Sequence, residues 1–85
     1  MINLSKNDTP NVVMTPYLAT AIAEGFGEGE GASEVLQLQA WAYLIKTDLA
    51  WSLQGWFGRH AMFLIEEDII SYDGVINWDN TNLNL

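Results

Sequence analysis

Apolar and polar positions alternate with two different periods along this chain. Between residues 16 and 67 the apolar residues recur at helical spacing on either side of a glycine-rich stretch over 25–32, and beyond Asp68 they fall into two short β-rich runs. Thr15-Pro16 reads as a helix N-cap followed by proline in the first turn, where its missing N–H costs nothing. The run over 17–24 then makes a short helix that Gly25 stops. Ser33 caps a second helix over about 34–46, with Glu34 in the first turn and Lys46 near the end, both favourable to the helix dipole. Leu38, Trp41, Ala42 and Ile45 form its apolar stripe.

Thr47 can cap a third helix, with Asp48 in its first turn, running over about 48–67. Leu49, Leu53, Trp56, Phe57, His60 and Leu64 occupy one side, and Trp51, Gly55, Gly58 and Met62 another. A helix apolar around so much of its circumference must be buried against several elements or a second chain. Gly55 and Gly58 each cost about 1 kcal/mol against alanine inside a helix. Close approach of a facing helix or aromatic ring would explain them; a break at Gly55, giving two shorter helices, is the alternative. Continuity is the expected form.

Ile69–Tyr72 and Val75–Trp78 are rich in β-branched and aromatic residues, and Asp73-Gly74 between them signals a β-hairpin with a type I′ turn. Residues 1–14 look like an arm in which 2–4 and 12–14 could become short strands, and 79–85 like a frayed tail. Glycine at every second position from Gly25 to Gly31 makes 25–32 a solvated linker. A phosphate-cradling loop is excluded there, because Glu28 and Glu30 would repel phosphate and no Lys-Ser/Thr pair follows. The predicted fold is therefore mainly α, in one domain over 1–85. A helix–turn–helix hairpin (34–46 and 48–67) carries a short N-terminal helix and a small C-terminal β-hairpin.

Charge changes the picture more than composition does. Eleven acidic residues face Lys6, Lys46 and Arg59, a net charge of −8. Such a surface repels nucleic acid and anionic membranes, and steers the protein towards a basic partner. Plain solubility is the competing explanation. No cysteine is present, which excludes a disulfide framework and a thiolate metal site and fits a reducing cytoplasm. No signal peptide or membrane-spanning stretch is indicated, so a cytoplasmic location is expected.

Candidate chemistry is sparse. His60 is the sole histidine, with no evident triad partner and no second histidine to complete a metal site; a half-buried histidine beside Arg59 is the simpler reading. No enzyme activity, cofactor or metal is expected. Arg59, the sole arginine, can stack on Trp56 or Phe63, pair with Glu66 or Glu67, or anchor an interface. Gln37, Gln39 and Gln54 can bond across the helix pair or face solvent. Glu66-Glu67-Asp68 sits at a helix C-terminus, where the dipole disfavours anions; it is a solvated end, a contact for a basic partner, or a weak hard-cation site. Four Trp, three Phe and three Tyr are hard to hide in 85 residues. The surplus marks a protein–protein surface, and homodimerisation through the long helix is the cheapest way to bury it. The candidate interface is Trp51, Trp56, Arg59, Glu66, Glu67 and Asp68. Its partner would be a protein with a basic or aromatic-accepting surface.

The segments Leu38-Gln39-Ala40-Trp41, Trp51-Ser52-Leu53-Gln54-Gly55-Trp56-Phe57-Gly58-Arg59 and Leu64-Ile65-Glu66 resemble a family of short, uncharacterised proteins of tailed bacteriophages. The likeness covers about a third of the chain, and Gln-Gly-Trp-Phe-Gly-Arg is its distinctive centre. This chain departs from the family in Thr47-Asp48 before the second helix, where Thr-Gly is usual, and in His60, where Thr follows the Arg. The resemblance implies a viral origin and brings no known activity, fold or active site. The expectation that follows is a phage-encoded binding protein that modulates or inhibits a host protein, in one version as a nucleic-acid mimic. The alternative is a self-assembling structural or accessory viral protein.

Overall fold

The computed structural model describes residues 13–25 and 27–81. Thr15 Oγ1 accepts the Leu18 N–H at 3.1 Å and starts α1, Pro16–Glu24. Gly25, at φ 76°, closes it by donating to the Ala21 and Ile22 carbonyls. The glycine stretch then departs from expectation. Gly27–Gly29 winds into a 3-10 turn, and Gly29 is buried against the Ala21–Ile22 backbone of α1. Gly29 is thus packed on the preceding helix, where only glycine fits, while Gly25, Gly27, Glu30 and Gly31 around it are exposed.

Helix α2, Glu34–Lys46, begins where Ser33 Oγ accepts the Leu36 N–H at 3.1 Å. Its buried face is Ala40, Trp41, Leu44 and Ile45, while Leu38 and Ala42 are half-buried at its margins. Thr47 does not cap the next helix. It ends α2, its hydroxyl donating to the Tyr43 carbonyl at 2.8 Å, and Asp48 follows in the left-handed region at φ 67°.

The long helix expected over 48–67 is broken. The four-residue α3, Leu49–Ser52, is followed by an extended Leu53 and Gln54, and α4 runs from Gly55 to Glu66. The physical reason is the all-round apolarity noted above. A straight helix can turn one face to a single core, whereas the bend brings Ala50 of α3 and Phe57, Ala61 and Leu64 of α4 into one core with α1 and α2. Gly58 serves the close approach this requires: a Cβ there would lie 3.7 Å from the Ala50 carbonyl oxygen and 3.8 Å from Trp51 Cε3.

Past Glu66 the chain leaves α4 through Asp68 at φ 62°. The Ile69 N–H bonds back to the Leu64 carbonyl (2.9 Å) and the Asp68 N–H to that of Ile65 (3.0 Å), the reciprocal pair of a Schellman ending. The C-terminal β-hairpin is not formed. Among the described residues there is no strand, and a single antiparallel bridge joins Ile70 to Ile76. A type I′ turn needs two positive φ angles, but at Asp73-Gly74 only Gly74 has one, at 78°. Ser71 Oγ accepts the Asp73 and Val75 N–H groups, each at 3.2 Å, and shapes the turn, while the pairing stops at two backbone bonds, from the Ser71 N–H to the Val75 carbonyl (2.9 Å) and from the Asn77 N–H to the Ile69 carbonyl (2.7 Å). Trp78–Asn80 then forms a 3-10 turn, where part of a frayed tail was expected, and Asn80 Nδ2 donates to the Asp68 carbonyl at 3.0 Å. The expected strand at 2–4 and the last residues of the tail lie outside the described residues, and Val13-Met14 carries no regular structure.

Candidate functional site

The rings of α2 and α4 meet at Trp41. It is 5% exposed, and its centroid lies 4.6 Å from that of His60, 5.7 Å from Phe57 and 6.0 Å from Trp56, the last edge-on. His60 extends this cluster outward to Phe63, at 6.0 Å. A shallow concavity of about 160 Å³ opens beside it, where Glu34, Gln37 and Trp41 of α2 face His60 and Leu64 of α4. Residues from 34 to 81 contribute to it, and sequence reasoning did not assemble it.

Partial burial against these rings lowers the His60 pKa from its ordinary 6.5. The fold therefore favours the neutral imidazole. Stability from this group is fully present above pH 6.5, falls as pH drops through that value towards the lowered one, and then levels off. Thermal unfolding followed across that window is expected to show the melting temperature decline. His60→Gln should flatten the decline; an unchanged slope in the variant would assign it to other groups.

A larger groove of about 470 Å³ lies on the other flank of α4. Ala50, Trp51 and Leu53 of α3 and its exit line one side, and Gly55, Gly58, Arg59 and Met62 of α4 line the other. The stripe Trp51, Gly55, Gly58, Met62 legible in the sequence is thus held together despite the break, because α4 folds back along α3. Trp51 and Arg59 are exposed here. The Arg59 guanidinium turns towards the start of α4, close enough that a Cβ on Gly55 would lie 3.1 Å from its Nη1. Among the described residues it makes no ion pair and stacks on no ring. Tyr72, 64% exposed, extends the apolar margin through its contact with Met62, Oη to Sδ 3.8 Å.

The remaining candidates separate. Trp56 is half-buried on the opposite flank, against Trp41 and Phe57, and does not join Trp51. Glu66, Glu67 and Asp68 are exposed at the far end of α4. Gln37 and Gln54 are exposed and Gln39 is half-buried. No polar or charged residue is buried among the described residues, and among them no cluster of three metal-ligating side chains occurs.

The sequence profile of a protein family, Domain of unknown function (DUF7417), matches residues 26–84, well over half of the chain. The chain belongs to this family. The DUF7417 span begins just after α1 and takes in both concavities whole. No curated protein and no solved structure matches the chain. Among the described residues, no helix is long and apolar enough to cross a membrane.

Proposed function

We propose that this DUF7417 protein is a binding protein without catalytic activity, encoded by a bacteriophage to modulate or inhibit a host protein in the host cytoplasm. The groove between α3 and α4 carries the reading. An exposed tryptophan, a methionine and an arginine that pairs with no described residue surround an apolar cleft, and Trp and Arg are the residues most enriched where binding energy concentrates. The viral origin rests on the resemblance of the Leu38–Glu66 segment. The acidic surface supports steering more than contact: Glu24, Glu34, Asp48 and Glu66 sit at the ends of different helices and Asp73 in the turn beyond them, all exposed.

The test compares the wild type with Trp51→Ala, first in capture from host lysate and then with the purified captured protein. One host protein is expected to bind the wild type, with affinity reduced about thirtyfold by the substitution, as for a central aromatic anchor. Binding should change little with salt. Capture of the bait alone, or binding indifferent to Trp51→Ala, would remove the groove reading. Affinity that collapses with salt would transfer the contact to the acidic surface, as nucleic-acid mimicry requires.

A further inference from the structure

Helix α4 is charged against its own dipole. Its first turn has no acidic residue and Gln54 gives no side-chain cap, while its last turn has no basic residue and ends on Glu66, with Glu67 and Asp68 following. Anions are favoured at a helix's start and cations at its end, so both ends lack their complement within the helix itself. Its outward face has a simple layout. At 3.6 residues per turn, Gly55, Arg59, Met62 and Glu66 fall within a strip about 60° wide, with Phe63 along one edge. Phe57, Ala61 and Leu64 point the other way, into the core. Arg59 and Glu66 are exposed, and Phe63 is 50% exposed. Seven residues place Arg59 and Glu66 about 10 Å apart along the axis, and Arg59 turns towards Gly55, away from Glu66.

We propose that this face is closed by α4 of a second copy of the chain, antiparallel about a two-fold axis between Met62 and Phe63. That single operation sets Arg59 opposite Glu66 of the other copy, twice, because the contact is isologous. The backward-turned guanidinium then lies over the acidic run of the other copy, and that run lies at the uncapped start of α4. Met62 and Phe63 of each copy fill the centre, and Gly55 adds no bulk. Both electrostatic deficits of α4 are met by its own sequence, which an unrelated partner would match only by coincidence. Twelve residues give a contact about 18 Å long, shorter than a permanent interface needs, so the dimer is weak and concentration-dependent. This goes beyond the docking groove, with which it shares Gly55, Arg59 and Met62 as a border.

Sedimentation equilibrium of the full chain, from micromolar to millimolar, tests the pairing by charge reversal. The wild type is expected to show a monomer–dimer equilibrium. Arg59→Glu and Glu66→Arg should each weaken it about tenfold or more, since like charges then face across the axis. Both positions are exposed, so each variant keeps its fold, which circular dichroism checks. Mixing the two variants should restore a dimer, because one copy then offers two carboxylates and the other two cations; the double variant R59E/E66R should restore it within one chain. A wild type monomeric throughout, single variants that dimerise undiminished, or a mixture that stays monomeric would each overturn the proposal.

Discussion

Replacing Trp41 with alanine is expected to lower the unfolding free energy by about 3–5 kcal/mol. The indole is 5% exposed and touches three rings of α4, so its removal leaves a cavity between two helices that close packing elsewhere prevents from collapsing. At roughly 0.05–0.15 kcal/mol per residue, a chain of 85 residues has little stability to spare for such a loss. Trp51→Ala offers the contrast within one residue type. Trp51 is 39% exposed on the groove and its ring packs beside Gly58, so its truncation should cost less, about 1–2 kcal/mol. Urea unfolding followed by far-ultraviolet circular dichroism measures both. Equal midpoints for the two variants would mean that Trp41 is not the residue joining α2 to α4.

The same contrast shows which features the sequence makes legible. Helix ends governed by one short side chain can be read locally: Thr15-Pro16, Gly25 and Ser33 bond to backbone groups within four residues and act as their types predict. The main helical segments follow from them, as does the stripe that lines the groove. Features decided by competition between local options cannot be read this way. Thr47 can cap forwards or bond backwards to Tyr43, and it takes the second, leaving Asp48 to precede α3 without a side-chain cap. Asp48 and Asp68 take left-handed positions where glycine is the usual choice. Asp73-Gly74 signals a hairpin, but Ser71, two residues upstream, supplies a side-chain acceptor that closes a different turn. The bend at Leu53-Gln54 has no proline to announce it; it follows from the need to bury both Ala50 and Phe57.

That bend also explains the mixed outcome for the candidate interface. Trp51 and Arg59 lie on facing walls because α4 folds back beside α3. Trp56 begins α4 on the flank that meets Trp41, so its apolar surface goes to the core. The small concavity beside His60 left one trace in the sequence. Glu34, Gln37 or Leu38, and Trp41 follow the i, i+3/i+4, i+7 pattern along α2, but the opposite wall comes from residues up to Thr81, beyond any local window.

Gly29→Ala is the second large effect expected, a destabilisation of about 3 kcal/mol, at the upper end for one added carbon in a packed site. The reason is space. A Cβ at Gly29 would overlap the backbone of Ala21 and Ile22, and backbone cannot swing aside as a long side chain can. Accommodation requires the 3-10 turn to lift from α1, which in turn loosens Ala19 and Ile22 from the core. Gly31→Ala separates this from the general cost of losing a glycine. Gly31 has φ 77° and nothing within 4 Å of a Cβ, so alanine there meets conformational strain alone, about 1–2 kcal/mol. Chemical denaturation of both variants distinguishes the two causes. A solvated linker would rank Gly31→Ala as the more harmful, since Gly29 would then tolerate a side chain freely. The packed turn predicts the reverse order, with loss of α1 signal in Gly29→Ala before the core of α2 and α4 unfolds.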